Sequence, residues 1–573
     1  MKLPVLAACF LALAPAALAD PLDRLIEAYQ AHIEAADPGE AARAAGTSPD
    51  RWPSVRPPDI ARSAGRARAL LAEVEAADTA RRVDAAILKR LLTEEIRSAE
   101  LDEARVPFTG DWGFQSVPVF AALRVRIRDV ADAEAWVQRL NDVPRYFAEN
   151  RTNMARGITT GWTAHKDPLA TTRAQIEAQI VTDPAASDLY QPLLSLPDTI
   201  PPAEAARLRA EGLAATARAI EAYRETARFI DLAYAPVVRK GAGIAALPGG
   251  RDAYAAAVEH HTAGAGYTPE QIHAIGLSEV ARIRAEMQGV MAETGFAGSF
   301  SEFLGFLRTD PQFYAGSDLE LMAKAREITG RIDAILPDYF NTLPKLGYTV
   351  DPVPLSIAPG YTTGRYVQGD AEEGRKGSYL VNTYALEQRP LYELPALSAH
   401  EAVPGHHLQI ALAQEMGGQP RFRREYYATA FGEGWGLYAE RIAGEAGIYQ
   451  TPYERFGALS YEMWRACRLV ADTGLHWYGW TREEAEACFR ENSALSPLNI
   501  ETEVTRYIGW PGQATAYKIG ELKIRALRQE AEAALGDRFD IRAFHDVVLG
   551  QGAVPLDVLD AQVKAWLAES AAP

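Results

Sequence analysis

The chain has 573 residues, 48% of them hydrophobic, and a formal net charge of −17. That length and apolar content supply a large buried core, which excludes a disordered chain. The acidic balance repels nucleic acid and anionic lipid, so no nucleic-acid partner is expected.

Residues 1–19 open with Met1-Lys2, continue as a short apolar run and end in Ala17-Leu18-Ala19 before Asp20. A basic start, a hydrophobic core and a small-x-small site predict a secretory signal peptide cleaved after Ala19, and so a periplasmic or secreted protein. Losing Lys2 takes the charge to −18. Leu6-Ala7-Ala8-Cys9 imitates a lipoprotein box, but the cysteine comes too early to leave a hydrophobic core before it, so lipidation is not expected. No later stretch reaches the ~18 uninterrupted apolar residues of a membrane span, and no integral membrane association is expected.

Over residues 21–102 apolar side chains recur at helical spacing, as in Leu22-x-x-Leu25-Ile26-x-x-Tyr29. Similar segments fall near 130–156, 203–234, 268–294 and 317–335, then almost continuously over 397–568. Thr268-Pro269-Glu270-Gln271 and Thr481-Arg482-Glu483-Glu484 mark helix starts. Proline-rich stretches at 51–60 and 192–202 break helices without separating domains. Between 350 and 384, prolines and glycines punctuate Leu355-Ser356-Ile357, Tyr366-Val367 and 378–383, which read as strands of a small sheet. The expected fold is mainly α: residues 20–573 as one large helical unit, whole or in two lobes (about 20–250 and 251–573) lining a cleft. Cys467 and Cys488 flank a predicted turn near 475–479. A helical hairpin could join them as a disulfide, and a pair of buried thiols fits equally.

The chemistry concentrates in His400-Glu401-Ala402-Val403-Pro404-Gly405-His406-His407, with Glu433 on the next predicted helix. A catalytic zinc takes three nitrogen or oxygen ligands, an open position and a nearby carboxylate base. His400, a second histidine, Glu433 and Glu401 could supply these parts. The common helical spacing H-E-x-x-H is absent. On an ideal helix His406 points to the far side, and His407 returns to the right face roughly 10 Å up the axis. Pro404 removes an amide donor and Gly405 tolerates unusual backbone angles, so the helix is expected to bulge. A two-residue bulge selects His406 and a three-residue bulge selects His407. Glu440, seven residues after Glu433, lies on the same helical face and suits a carboxylate that orients a zinc histidine; a surface glutamate fits as well. Trp435 and Tyr438 read as packing residues.

His400-Glu401-x-x-Pro404-Gly405-His406, Glu433-Gly434-Trp435-Gly436-Leu437-Tyr438-Ala439-Glu440 and Arg506-Tyr507-x-x-Trp510-Pro511-Gly512-Gln513-Ala514-x-x-Tyr517-x-x-Gly520 resemble, in order, a large bacterial family catalogued as a domain of unknown function. Weaker similarity runs from about Tyr254 to the C-terminus. That family is similar to helical zinc peptidases of the angiotensin-converting enzyme, thimet oligopeptidase and thermostable metallocarboxypeptidase types. The resemblance implies a metallopeptidase-like helical fold with a small sheet beside the active-site helix, one Zn2+ per chain, and a peptide substrate. It also implies Glu433 as third ligand, 27 residues after His406 and 26 after His407. The family's motif places its second histidine at His406, while the Pro-Gly insertion departs from the better-known peptidases. It further implies Tyr507, or else Tyr517, as an oxyanion donor, and a substrate-binding sheet edge at Gly377, Ser378, Tyr379 and Asn382. Arg506 and Lys518 are candidates for binding a substrate carboxylate.

With Glu401 as general base, these parts make an exported zinc metallopeptidase. The competing readings are a noncatalytic peptide-binding protein and a zinc hydrolase of another amide. Cleavage position, residue preference and oligomeric state are left open.

Overall fold

In the computed structural model of the protein, residues 20–570 are described, apart from 111, 356–357 and 359–360. The expected signal peptide, Cys9 and the Ser356-Ile357 strand lie outside the described residues.

The fold is predominantly helical with one three-stranded sheet. The first helix, Pro21–Ala36, shows how the sequence pattern becomes packing: the Asp20 side chain caps it, and Leu22, Leu25 and Tyr29 form its buried stripe. At the helix starts read from the sequence, Thr481 and Glu484 close the expected capping box, and Thr268, expected as a cap before Pro269, forms one with Gln271 as well. The apolar core falls into three clusters. One gathers Leu22, Leu25, Leu70 and Leu88. A second surrounds Trp136, Phe147 and Tyr223. The third takes in Ile87 and side chains from Ala242 to Leu567, including Trp435, Tyr461 and Tyr507. Arg239 ties the last two together, donating to the carbonyls of Thr163, Ala242 and Ile508. Among the described residues no helix is long and apolar enough to cross a membrane.

The sheet comprises β1 (Tyr348–Pro352), β2 (Gly364–Val367) and β3 (Gly377–Val381), ordered β1-β3-β2. β1 pairs parallel to β3, and β2 antiparallel to it. The stretch expected to offer a free edge is therefore the central strand, with both rows of backbone groups paired. Its side chains are structural as well. Ser378 Oγ donates to Asp351, Tyr379 is fully buried beside Ser398, and the Asn382 amide donates to the carbonyls of Ala358, Tyr361 and Thr362. Gly377 lies against the Tyr366 ring, where a Cβ would come within 2.3 Å of the phenol oxygen. The edge strand on the site's side is β2.

Helices Leu394–Glu401, His406–Gln414, Thr429–Glu445, Pro452–Thr473 and Ala516–Leu535 pack on one another, and Leu394–Glu401 makes the contact with β2. Cys467 and Cys488 form a disulfide with Cα atoms 5.7 Å apart, linking Pro452–Thr473 to Arg482–Asn492.

Candidate metal centre

The helix carrying His400 stops at Glu401, and a second begins at His406. The expected bulge is a complete interruption of four residues, 402–405. Ala402 N–H still reaches Ser398 O, but the next helical bond, His407 N–H to Ala402 O at 3.0 Å, spans five residues. Gly405 lies so close to the preceding turn that a Cβ there would sit 1.9 Å from His400 O, so only glycine fits. The indole of Trp435 donates to Pro404 O at 2.7 Å and pins the loop from the neighbouring helix.

The interruption brings His406 round to His400, with ring centroids 4.7 Å apart and planes near perpendicular. Glu433, from Thr429–Glu445, completes the group: Oε2 lies 3.5 Å from His400 Nε2 and 3.4 Å from His406 Nε2. His400, His406 and Glu433 thus form a cluster that could hold a metal ion, one donor atom from each lying within 4.8 Å of the others. The fit is chemical as well as spatial. Two of the separations match the edge of a tetrahedron, about 3.3 Å when ligand bonds are about 2.0 Å. His400 Nδ1 is bonded to Glu440 Oε1 at 2.8 Å, so it carries the proton and turns the Nε2 lone pair towards Glu433. A lone pair facing a half-buried carboxylate favours a cation between them.

Without a metal a proton takes that place. Burial alone would lower the His400 pKa, but the Glu433, Glu440 and Glu401 carboxylates outweigh it and raise the group to about 9. Burial likewise opposes ionisation of Glu433, and the two histidines reverse it, holding the carboxyl well below its ordinary range. Glu440 also pairs with Arg465 at 3.3 Å behind His400. Gly436 leaves room for the imidazole, since a Cβ there would lie 2.6 Å from His400 Cε1. Gly436→Ala is therefore expected to displace that ring and weaken metal binding by about 10–100-fold, as read by competition with a chromophoric chelator.

His407, the alternative ligand, is directed elsewhere. Its Nδ1 lies 3.0 Å from the Tyr366 hydroxyl, its ring packs on Tyr348, and burial lowers it to about 4. Glu401 stands outside the cluster and accepts Tyr366 N–H from β2 at 2.8 Å.

The remaining candidates divide. Tyr507 is buried, and its hydroxyl accepts from Trp464 Nε1 and Arg468 Nε while donating to Glu503 at 2.7 Å, which leaves it no open donor. Tyr517 is half-buried under the Arg468 guanidinium, 4.2 Å from its ring centre. Arg506 is held by Glu503 and Gln513. Lys518 is completely buried among Glu279, Glu462 and Glu521 at 2.6–3.0 Å. Both cations are committed to internal partners. Lys518→Met would remove the buried cation shared by Glu279, Glu462 and Glu521, leaving them only Arg282 and Arg525, and is expected to cost ~3–5 kcal/mol in denaturant unfolding. Burial opposes ionisation of Glu462, but Lys518 and Arg282 hold it down to about 2. Its contribution should be present above the unfolded value near 4.5 and be lost as pH falls towards 2.

The sequence reading missed Tyr427, which packs over Gly432 beside Glu433. The signal available was a tyrosine upstream of the glutamate with a glycine between them to receive its ring.

Comparison with solved structures finds "the putative lipoprotein from Colwellia psychrerythraea" at TM-score 0.87 and 26% identity, covering 96% of this chain and 100% of that one. A "putative lipoprotein of unknown function from Shewanella oneidensis" follows at TM-score 0.73 and 16% identity, covering 96% and 98%, a likeness of fold alone. Curated proteins give no match. The family model of bacterial proteins of unknown function, DUF885, matches residues 39–563, and the chain belongs to that family.

Proposed function

We propose that the protein is an exported zinc metallopeptidase acting on peptides in the periplasm or outside the cell. The observation that carries this reading is the arrangement around His400: Nδ1 fixed by Glu440, Nε2 turned to His406 and Glu433, and Glu401 beside the cluster without joining it. His400, His406 and Glu433 would hold the ion, the two-histidine, one-carboxylate set that leaves a position open. Bound there, zinc supplies Lewis acidity, acidifying water and polarising a carbonyl.

The chain's own residues do the rest. Glu401 takes the proton of the attacking water and returns it to the departing amine. Its link to Tyr366 N–H fixes the carboxylate's position through β2. Glu440 and Arg465 keep His400 in one tautomer as charge develops. Chain export and the peptide substrate rest on the sequence reading.

The test is to incubate the mature, zinc-loaded protein with a mixed peptide library and identify products by mass spectrometry, with chelation and zinc restoration as controls. Zinc-dependent cleavage supports the proposal. An intact library with zinc bound would contradict it.

A further inference from the structure

An amide carbonyl under attack becomes an oxyanion, and a donor aimed at it is commonly worth more than any other single contact. Tyr507 cannot serve in the observed arrangement, because three partners occupy its hydroxyl. Tyr366 is engaged by His407, Tyr379 by Ser398, and Tyr438 by His545 and Arg528.

Tyr427 differs from these four; it lies beside Tyr517, whose hydroxyl is likewise without a hydrogen-bond partner among the described residues but whose ring is covered by the Arg468 guanidinium. Tyr427 lies in the extended link between helices Arg421–Glu425 and Thr429–Glu445. Successive residues of extended chain point opposite ways. The charges acting on Tyr426 come from Arg90, Glu94, Asp557 and Glu259, whereas those on Tyr427 come from Glu433, Tyr517 and Glu401. The Tyr427 ring folds back over the first turn of the Glu433 helix. A Cβ on Gly432 would meet its Cε2, Cζ and hydroxyl oxygen at 2.3–2.4 Å, so that glycine makes room for the phenol. The residue is 42% exposed, which leaves one side open while the phenol lies against Gly432 on the helix. Among the described residues its hydroxyl has no hydrogen-bond partner.

We propose that Tyr427 is a catalytic residue, its phenol donating to the substrate oxyanion beside the His400, His406 and Glu433 cluster. The assignment rests on the metallopeptidase reading and adds to it a residue outside the three motif blocks. Tyr427 acts as a hydrogen-bond donor, leaving proton transfer to Glu401.

The experiment compares wild type, Tyr427→Phe and Gly432→Ala, each zinc-loaded and with zinc per chain and circular dichroism measured. Tyr427→Phe should lower kcat about 10²–10³-fold with KM and zinc retained. It should also weaken binding of a phosphinic peptide, a tetrahedral mimic, by about 10–100-fold in calorimetry. Gly432→Ala, which displaces the phenol without removing it, should reproduce part of both effects and keeps the test valid if Tyr427→Phe folds poorly. Turnover and phosphinic-peptide affinity equal to wild type in both variants would overturn the role of Tyr427 and leave the metallopeptidase reading standing. A wild type that neither cleaves peptides nor binds the phosphinic peptide would overturn both.

Discussion

Glu401→Gln is expected to lower peptide turnover by about 10²–10⁴-fold while zinc content and fold are retained. Gln keeps the size of the side chain and an oxygen to accept Tyr366 N–H, so the link between the helix and β2 survives. It cannot accept a proton at neutral pH. Because Glu401 is not a member of the cluster, the metal should remain. Hydrolysis rates compared at matched zinc occupancy check this, and equal rates would exclude Glu401 as the base.

The second large effect separates adjacent histidines. His406→Ala should lose the metal, since it removes one of three donors, whereas His407→Ala should retain most of it. His407 is turned towards Tyr366 and Tyr348, so its loss should act on the packing of the sheet against the helix. Elemental analysis of the two purified variants, alongside His400→Ala and Glu433→Ala, gives the comparison. Retention in His406→Ala with loss in His407→Ala would transfer the ligand role.

The helices were legible because their apolar stripes and capping boxes are local signals, as at Leu22, Leu25 and Tyr29. Of the site's parts, His400 and His406 were legible because histidine is scarce in the chain and the two stand close together, and Glu433 because it sits on the next predicted helix at the spacing the resemblance implies. Glu440 was legible through the helical repeat that places it near Glu433. The hidden features were long-range. Nothing in 377–382 says that β1 will pair on its far side and make it the central strand. Nothing local says that Lys518 will meet Glu279 and Glu462 from other helices, or that Trp464 and Arg468 will claim the Tyr507 hydroxyl. Motif residues carry packing as well as chemistry, and sequence alone does not separate the two. Gly436 illustrates it: set between Trp435 and Leu437 it reads as a helix weakener, and only the His400 ring lying against it shows why no side chain fits.

The most direct measurement is a crystal structure of the zinc-loaded mature protein with anomalous data collected on both sides of the zinc edge. One zinc peak should appear among His400 Nε2, His406 Nε2 and Glu433 Oε2, about 2.0–2.2 Å from each, with Glu401 unligated. No peak there in protein containing stoichiometric zinc, or a peak coordinated by His407, would contradict the site on which the function is built.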